Sequence, residues 1–115
     1  MITEGDIVLF EFPQTDKSSG KLRPALVLRK CPGQYDDWLI CMISSQLRQA
    51  NTDLDVTIRY NDPEFETSGL KIESVIRASR LAVISADVLK GSIGKLSATR
   101  IKTIQQSIAN WIADQ

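Results

Sequence analysis

Short apolar runs separated by polar segments occupy most of the chain. The third run, residues 38–43, is continuously apolar, which predicts a strand buried on both faces. Residues 54–60 alternate between polar and apolar side chains, as a half-buried strand does. The pattern therefore predicts five or so short strands, bounded by turns. The segments concerned are 7–12, 25–29, 38–43, 54–60, 71–76 and 81–84.

One convincing helix is predicted at the C-terminal end, over residues 98–114. Ser97 is its expected N-cap, and its isoleucines recur at spacings of three, four and four, which gives one apolar stripe. Before it, Ser85 is expected to cap a helical turn over 85–90, and 91–97 is expected to be a turn. The stripe has only the strands to pack on, so the fold class is mainly β: a small antiparallel sheet or barrel with a C-terminal amphipathic helix. We expect one domain over residues 1–115.

Composition removes several classes of chemistry. The 115 residues include no histidine and two cysteines, which are not in a Cys-x-x-Cys arrangement. Histidine-assisted nucleophiles, histidine general bases and a four-ligand zinc site are therefore excluded. No run of about 18 apolar residues predicts a membrane helix, and no apolar signal core opens the chain, so a cytoplasmic location is expected. An enzyme of this composition would use carboxylates, hydroxyls, arginines and lysines.

The net charge of zero is distributed in blocks of alternating sign. Residues 17–30 carry five basic side chains and no acidic one, and residues 71–102 carry seven basic side chains against two acidic ones. If the two basic blocks meet in space, they form a local anion-binding surface. The alternative is that both are ordinary solvated faces.

Several short motifs follow one another along the chain in the order found in a known family. The matching segments are Gly5-Asp6-Ile7-Val8, Arg23-Pro24-Ala25-Leu26-Val27-Leu28, Met42-Ile43-Ser44-Ser45-Gln46, Gly69-Leu70 with Glu73-Ser74-Val75-Ile76, and Ile93-Gly94-Lys95-Leu96-Ser97. Over residues 5–112 the chain thus resembles the MazF/PemK (Kid) family of toxins from type II toxin–antitoxin pairs.

The resemblance implies an SH3-like barrel of the CcdB/Kid/MazF kind, usually a homodimer. It also implies metal-independent, sequence-specific cleavage of single-stranded RNA, including mRNA, which inhibits growth. No cofactor is implied. The implied partners are RNA and a cognate antitoxin that blocks the RNA groove, with DNA reached only indirectly through the antitoxin and no membrane partner.

The resemblance also nominates catalytic residues. Arg23 matches the family's active-site arginine before proline, and a guanidinium suits a pentacoordinate phosphate. Ser44 matches the strand-end Thr/Ser and is expected to bond a phosphate oxygen or orient the attacking group. Arg77 matches a strand arginine of the Kid/PemK branch, but the aspartate two residues further on is Ser79 here. Glu73, on the same face in a regular strand, is the carboxylate expected to substitute for the missing base.

Further side chains flanking these positions are expected to contact RNA. They are Lys17, Lys21, Ser45, Gln46, Ser79 and Arg80. Two alternatives stay open: a CcdB-like toxin that acts on a protein target such as gyrase, and a non-catalytic relative that binds RNA or antitoxin. The absence of the aspartate at position 79 keeps the second alternative open.

Overall fold

The computed structural model describes residues 1–12, 21–51 and 53–114. Within those residues the chain forms six strands, two helices and two single turns of 3-10 helix. The strands are β1 (Asp6–Phe12), β2 (Lys21–Lys30), β3 (Asp37–Ser44), β4 (Val56–Ile58), β5 (Ser74–Ser85) and β6 (Leu89–Lys95). The helices are α1 (Phe65–Ser68) and α2 (Ala98–Ala113), and the 3-10 turns are Leu47–Gln49 and Ala86–Val88. The prediction of a mainly β fold with a C-terminal helix is confirmed.

All six strands belong to one antiparallel sheet in the order β4-β5-β3-β2-β1-β6. Residues 74–76 of the predicted strand 71–76 and the whole of the predicted strand 81–84 belong to the single strand β5. A bulge separates them: Met42 pairs with Arg77, whereas its neighbour Cys41 pairs with Leu81. Residues 78–80 are therefore extra on β5, and an insertion of this kind bends the strand and interrupts its side-chain alternation.

The prediction of a turn over residues 91–97 is wrong, because β6 covers most of that segment. Its two glycines, Gly91 and Gly94, carry no side-chain pattern that would indicate a strand. The segment is held as a strand by its antiparallel pairing with β1, which includes two register shifts. The expected turn capped by Ser85 is present as the 3-10 turn Ala86–Val88, with the Asp87 N–H donating to Ser85 Oγ at 3.2 Å.

Helix α2 packs its apolar stripe on one face of the sheet. Its N-cap is confirmed, because the Arg100 N–H donates to Ser97 Oγ at 3.1 Å. Three of the four isoleucines of the stripe are buried, whereas Ile112 near the helix end is 64% exposed. The buried side chains that meet in this layer are Ile7, Leu26, Leu28, Cys41, Ile43, Ile58, Leu70, Ile76, Ala78, Leu96, Ile101, Ile104 and Ile108.

The opposite face of the central strands is buried too. Successive residues of β2 alternate between the two core layers, with Leu26 in the layer under α2 and Val27 in the second layer. The second layer consists of Val8, Phe10, Ala25, Val27, Trp38 and Ile40. Burial on both faces is what the continuously apolar run of β3 predicted. None of the described helices is long and apolar enough to cross a membrane.

The two edges of the sheet approach each other through α1, which follows β4 and contacts β6. Gly69 ends α1 in the left-handed conformation, with φ of 75°. A Cβ atom at Gly69 would overlap the carbonyl oxygen of Ile93, and one at Gly94 would overlap that of Thr67. Only glycine allows these two backbones to cross so closely. The contact fixes the segment between β4 and β5, on which one wall of the candidate site depends.

Candidate active site

A groove of about 390 Å³ lies where the start of β2, the end of β3 and the entrance to β5 meet. Because β2 and β3 are antiparallel and Ala25 pairs with Met42, the same register sets Arg23 opposite Ser44. Directly opposed residues share a face of the sheet. Arg23 and Ser44, which the family resemblance nominated separately, both line the groove.

Ser44 shapes the exit of β3. The Gln46 N–H donates to Ser44 Oγ at 3.0 Å, so the hydroxyl fixes the turn that follows the strand. That turn presents Ser45 and Gln46 in the lining of the groove, and both are exposed. Of the side chains expected to contact RNA, these two lie beside Arg23. Lys21 is exposed at the start of β2, two residues before Arg23, and Lys17 lies outside the described residues.

The far wall of the groove comes from residues 69–72 and supplies a second cation, Lys71. Lys71 was missed by reasoning from the sequence. The available signal was its place at the start of the second basic block, next to the Gly69-Leu70 motif. Leu70 is buried in the core under α2, and this anchors the wall on which Lys71 is exposed. Among the described residues, neither Arg23 nor Lys71 has an ion-pair partner within 4.0 Å.

Glu73 lies just before β5, and its carboxylate contacts the backbone of another segment. The Tyr60 N–H donates to Glu73 Oε2 at 3.1 Å. This bond joins the two ends of the connection between β4 and β5. Glu73 is not part of the groove lining, although its neighbours Ile72 and Ser74 are.

Arg77 lies away from the groove, at the bulge of β5. Its Nε is 3.2 Å from Asp55 Oδ2, and the Asp55 side chain is only 1% exposed. The same carboxylate accepts hydrogen bonds from the Ala78 N–H at 2.9 Å and the Asn51 N–H at 3.0 Å. Asp55 thus binds the backbone of the bulge and the guanidinium beside it, and Arg77 is not among the residues that line the groove with Arg23.

Ser79 and Arg80 belong to the same bulge and are exposed. Ser79 lines a different depression, formed with Asn51 and with Trp111 near the end of α2. Ser79 is one of the three extra residues of the bulge, so the regular alternation predicted for Glu73, Arg77 and Ser79 ends before Ser79. The predicted catalytic residues therefore lie in three places. Arg23 and Ser44 line the groove, Glu73 lies at the end of the β4–β5 connection, and Arg77 lies next to the bulge.

Outside the groove, the Cys41 thiol and the Asp62–Arg100 pair have shifted pKa values. Burial, with a smaller contribution from Asp55, raises the pKa of the Cys41 thiol to about 12. The bidentate hydrogen bonds from Arg100 lower the pKa of the Asp62 carboxyl, and the pKa of Arg100 rises correspondingly. Among the described residues, no three acidic, cysteine or histidine side chains lie close enough together to hold a metal ion.

The sheet, its C-terminal helix and their order along the chain define the MazF toxin fold. A solved structure of this fold, Mycobacterium tuberculosis toxin MazF-mt6, superposes with a TM-score of 0.63 at 22% sequence identity, covering 93% of this chain and 95% of that one. No match is found among curated proteins. The sequence model of the family of PemK-like, MazF-like toxins of type II toxin–antitoxin systems matches residues 3–112 of this chain. The chain belongs to that family.

Proposed function

We propose that this protein is the toxin of a type II toxin–antitoxin pair and a metal-independent endoribonuclease that cuts single-stranded RNA, including mRNA, at specific sequences. The observation that carries the proposal is the groove that Arg23, Ser44 and Lys71 line together. Two cations beside a hydroxyl match the charge of an RNA backbone. Cleavage takes place in the cytoplasm, by a homodimer, until a cognate antitoxin blocks the groove.

In this mechanism the 2′-hydroxyl attacks the adjacent phosphorus in line. The bond from the 2′ oxygen to phosphorus forms as the bond to the 5′ oxygen breaks, and the leaving 5′ oxygen takes a proton from solvent, which yields a cyclic phosphate and a 5′-hydroxyl end. The guanidinium of Arg23 binds two phosphate oxygens through its fork and stabilises the charge that develops on them. Ser44 donates to or orients the reacting group, and Lys71 binds the RNA backbone beside the reacting phosphate, which contributes to substrate binding.

Two predicted residues take other roles in this proposal. Glu73 is engaged with the Tyr60 N–H, which favours a positioning role for it over that of general base. Arg77 is paired with the buried carboxylate of Asp55, which favours a structural role. The 2′-hydroxyl proton therefore passes to solvent or to a group of the substrate, and the groove contributes mainly charge stabilisation and orientation.

Base recognition is assigned to the rim of the groove. Leu22 and Ile72 line it and are 55% and 52% exposed, so each offers an apolar surface to an unstacked base. Ser45 and Gln46 supply hydrogen-bonding groups for base edges. Single-stranded RNA is read by this combination of packing against bases and hydrogen bonds to their edges.

The proposal is tested by incubating the purified protein with a long RNA in EDTA and mapping the cuts. Arg23→Ala should lower kcat by about 10²–10³-fold, the usual loss when one charge-stabilising donor is removed. Arg23→Lys keeps the charge without the fork, so its activity should be intermediate. Arg29→Ala is the matched control, because Arg29 is an exposed arginine of the same strand outside the groove.

The outcomes separate the alternatives. A folded Arg23→Ala variant that cleaves like wild type contradicts the assignment of Arg23, and activity that needs added magnesium contradicts metal independence. RNA binding without cuts indicates the non-catalytic relative. Intact RNA together with inhibited gyrase indicates a CcdB-like toxin.

A further inference from the structure

The segment that carries Lys71 into the groove has little internal structure of its own. It runs from residue 59 to residue 73, between β4 and β5, and contains only the four-residue helix α1. A helix of one turn is not stable by itself in water. The position of Lys71 must therefore be set by contacts with the rest of the protein.

The strongest of these contacts is made by Arg100, in the first turn of α2. Its Nη1 donates to Asp62 Oδ1 at 3.1 Å and its Nη2 donates to Asp62 Oδ2 at 2.9 Å. The side chains are 25% and 12% exposed, so the pair is partly shielded from water. A bidentate arginine–carboxylate pair fixes orientation as well as distance. The Asp62 end of the segment is thus fastened to the start of α2.

A second acid of the segment binds the same helix end. Glu64 Oε1 accepts a hydrogen bond from the Ser97 N–H at 2.6 Å, and Oε2 accepts one from Ser97 Oγ at 3.1 Å. Glu64 Oε2 also lies 3.5 Å from Arg100 Nη1. The first backbone N–H groups of a helix lack partners within the helix, so a carboxylate is well placed there. Arg100 is the residue that contacts both acids.

The far end of the segment is fixed to β6 and to the core. Gly69 crosses Gly94 at backbone contact distance, and the Leu70 N–H donates to Ser68 Oγ at 3.1 Å. Leu70 is buried in the layer under α2. α1 connects the two ends, so after loss of the Arg100 contacts the segment is held by Glu64 and by its Gly69 end, and the wall on which Lys71 stands shifts with α1.

We propose that Arg100 is a positioning residue: it holds the segment 59–73 so that Lys71 faces Arg23 across the groove. Arg100 is outside the groove lining and acts through the segment. The inference rests on the proposed function for its kinetic consequence, but the placement of the segment is a property of the fold alone.

The kinetic test compares Arg100→Met with wild type on a short single-stranded RNA. Arg23 and Ser44 stand on β2 and β3, away from the change, so kcat should hold while KM rises. A misplacement of about 1 Å can cost about 10²-fold, so we expect kcat/KM to fall about 10–100-fold. Arg100→Lys should recover part of the loss. Lys30→Met is the control, because Lys30 forms an exposed pair with Asp36 at 3.9 Å, away from the groove.

A double-mutant cycle separates positioning from general destabilisation. If Arg100 acts through Lys71, then Arg100→Met should have little further effect once Lys71→Ala is present. Additive losses would overturn the proposal, as would an unchanged KM in Arg100→Met. All variants are compared at a temperature where thermal unfolding shows each of them folded.

Hydrogen exchange supplies a readout that does not depend on activity. Arg100→Met should speed exchange at the amides of residues 69–71 and leave the amides of β1–β3 unchanged. Unchanged exchange at residues 69–71 would overturn the placement of the segment by Arg100. If wild type neither binds nor cleaves RNA, the proposed function fails, and the exchange experiment still decides the role of Arg100.

Discussion

Gly69→Ala is expected to destabilise the protein through two separable effects. The first is conformational, because φ is 75° at Gly69 and an alanine in the left-handed region costs about 1–2 kcal/mol. Part of this is offset, since alanine reduces the freedom of the unfolded chain by about 0.4–1 kcal/mol. The second effect is the overlap of the new Cβ with the Ile93 carbonyl oxygen, which no side-chain rotation relieves.

Overpacking of this kind typically costs about 1–3 kcal/mol. The two effects together lower the free energy of unfolding of Gly69→Ala by about 1–5 kcal/mol. Since small domains are stable by about 5–15 kcal/mol, the variant should still fold. Its activity should fall as well, because the backbone that shifts is part of the groove wall.

Two other glycines provide matched controls. Gly33, with φ of 115°, has no heavy atom within 4 Å of an added Cβ, so Gly33→Ala isolates the conformational cost at about 1 kcal/mol. Gly94 has no positive φ, but its Cβ would overlap the Thr67 carbonyl oxygen, so Gly94→Ala isolates the overlap. Gly69→Ala should be more destabilising than Gly33→Ala by the cost of the overlap.

The assay is urea unfolding followed by tryptophan fluorescence, for which Trp38 is a buried reporter. The denaturant slope should be unchanged while the midpoint falls. If Gly69→Ala is no less stable than Gly33→Ala, the backbone crossing between the end of α1 and β6 is incorrect. The same conclusion follows if Gly94→Ala unfolds at the wild-type midpoint.

Three further predictions concern the core and the buried charges. Burial raises the pKa of Cys41 to about 12, so iodoacetamide at pH 8 should label native protein at Cys31 alone and unfolded protein at both cysteines, as counted by mass spectrometry. Arg100 lowers the pKa of Asp62 in the folded protein, so this pair stabilises the fold at pH values above the unfolded pKa of about 3.9. The stabilisation is lost as the pH falls through the lowered pKa of the folded protein. The urea midpoints of Asp62→Asn and wild type should therefore differ at pH 7 and converge as the pH falls below about 4. Ile104 is 2% exposed, and Ile104→Ala should lower the free energy of unfolding by about 2–5 kcal/mol in the same urea assay.

The local pattern was sufficient for those elements whose side chains alternate or repeat regularly. The apolar runs predicted β1, β2 and β3 to within a few residues, and the isoleucine stripe with Ser97 predicted α2. β6 was missed because Gly91 and Gly94 resemble a turn, and its strand conformation depends on pairing with β1. The break in β5 was an effect of the bulge, whose polar residues interrupt the apolar pattern without ending the strand.

The residues of the candidate site also differ in whether the local sequence pattern could place them. Arg23 and Ser44 were each nominated by the family resemblance, and the antiparallel pairing of β2 with β3 accounts for their presence in one groove. Arg77 could not be placed, because a buried carboxylate 22 residues earlier, Asp55, binds it at the bulge. The role of Lys71 depends on how the segment 59–73 folds onto α2 and β6, and local periodicity contains no information about that.

The alternating charge blocks explain how a protein of zero net charge can present a cationic groove. Acidic residues that lie between the two basic blocks in the sequence pair with arginines of the second basic block: Asp55 with Arg77, and Asp62 with Arg100. These pairs neutralise charge away from the groove and fasten the segments that flank it. Arg23 and Lys71 come from different basic blocks and meet at the groove. Attraction for a polyanion is therefore local, so an overall balance of charge is compatible with RNA as the substrate.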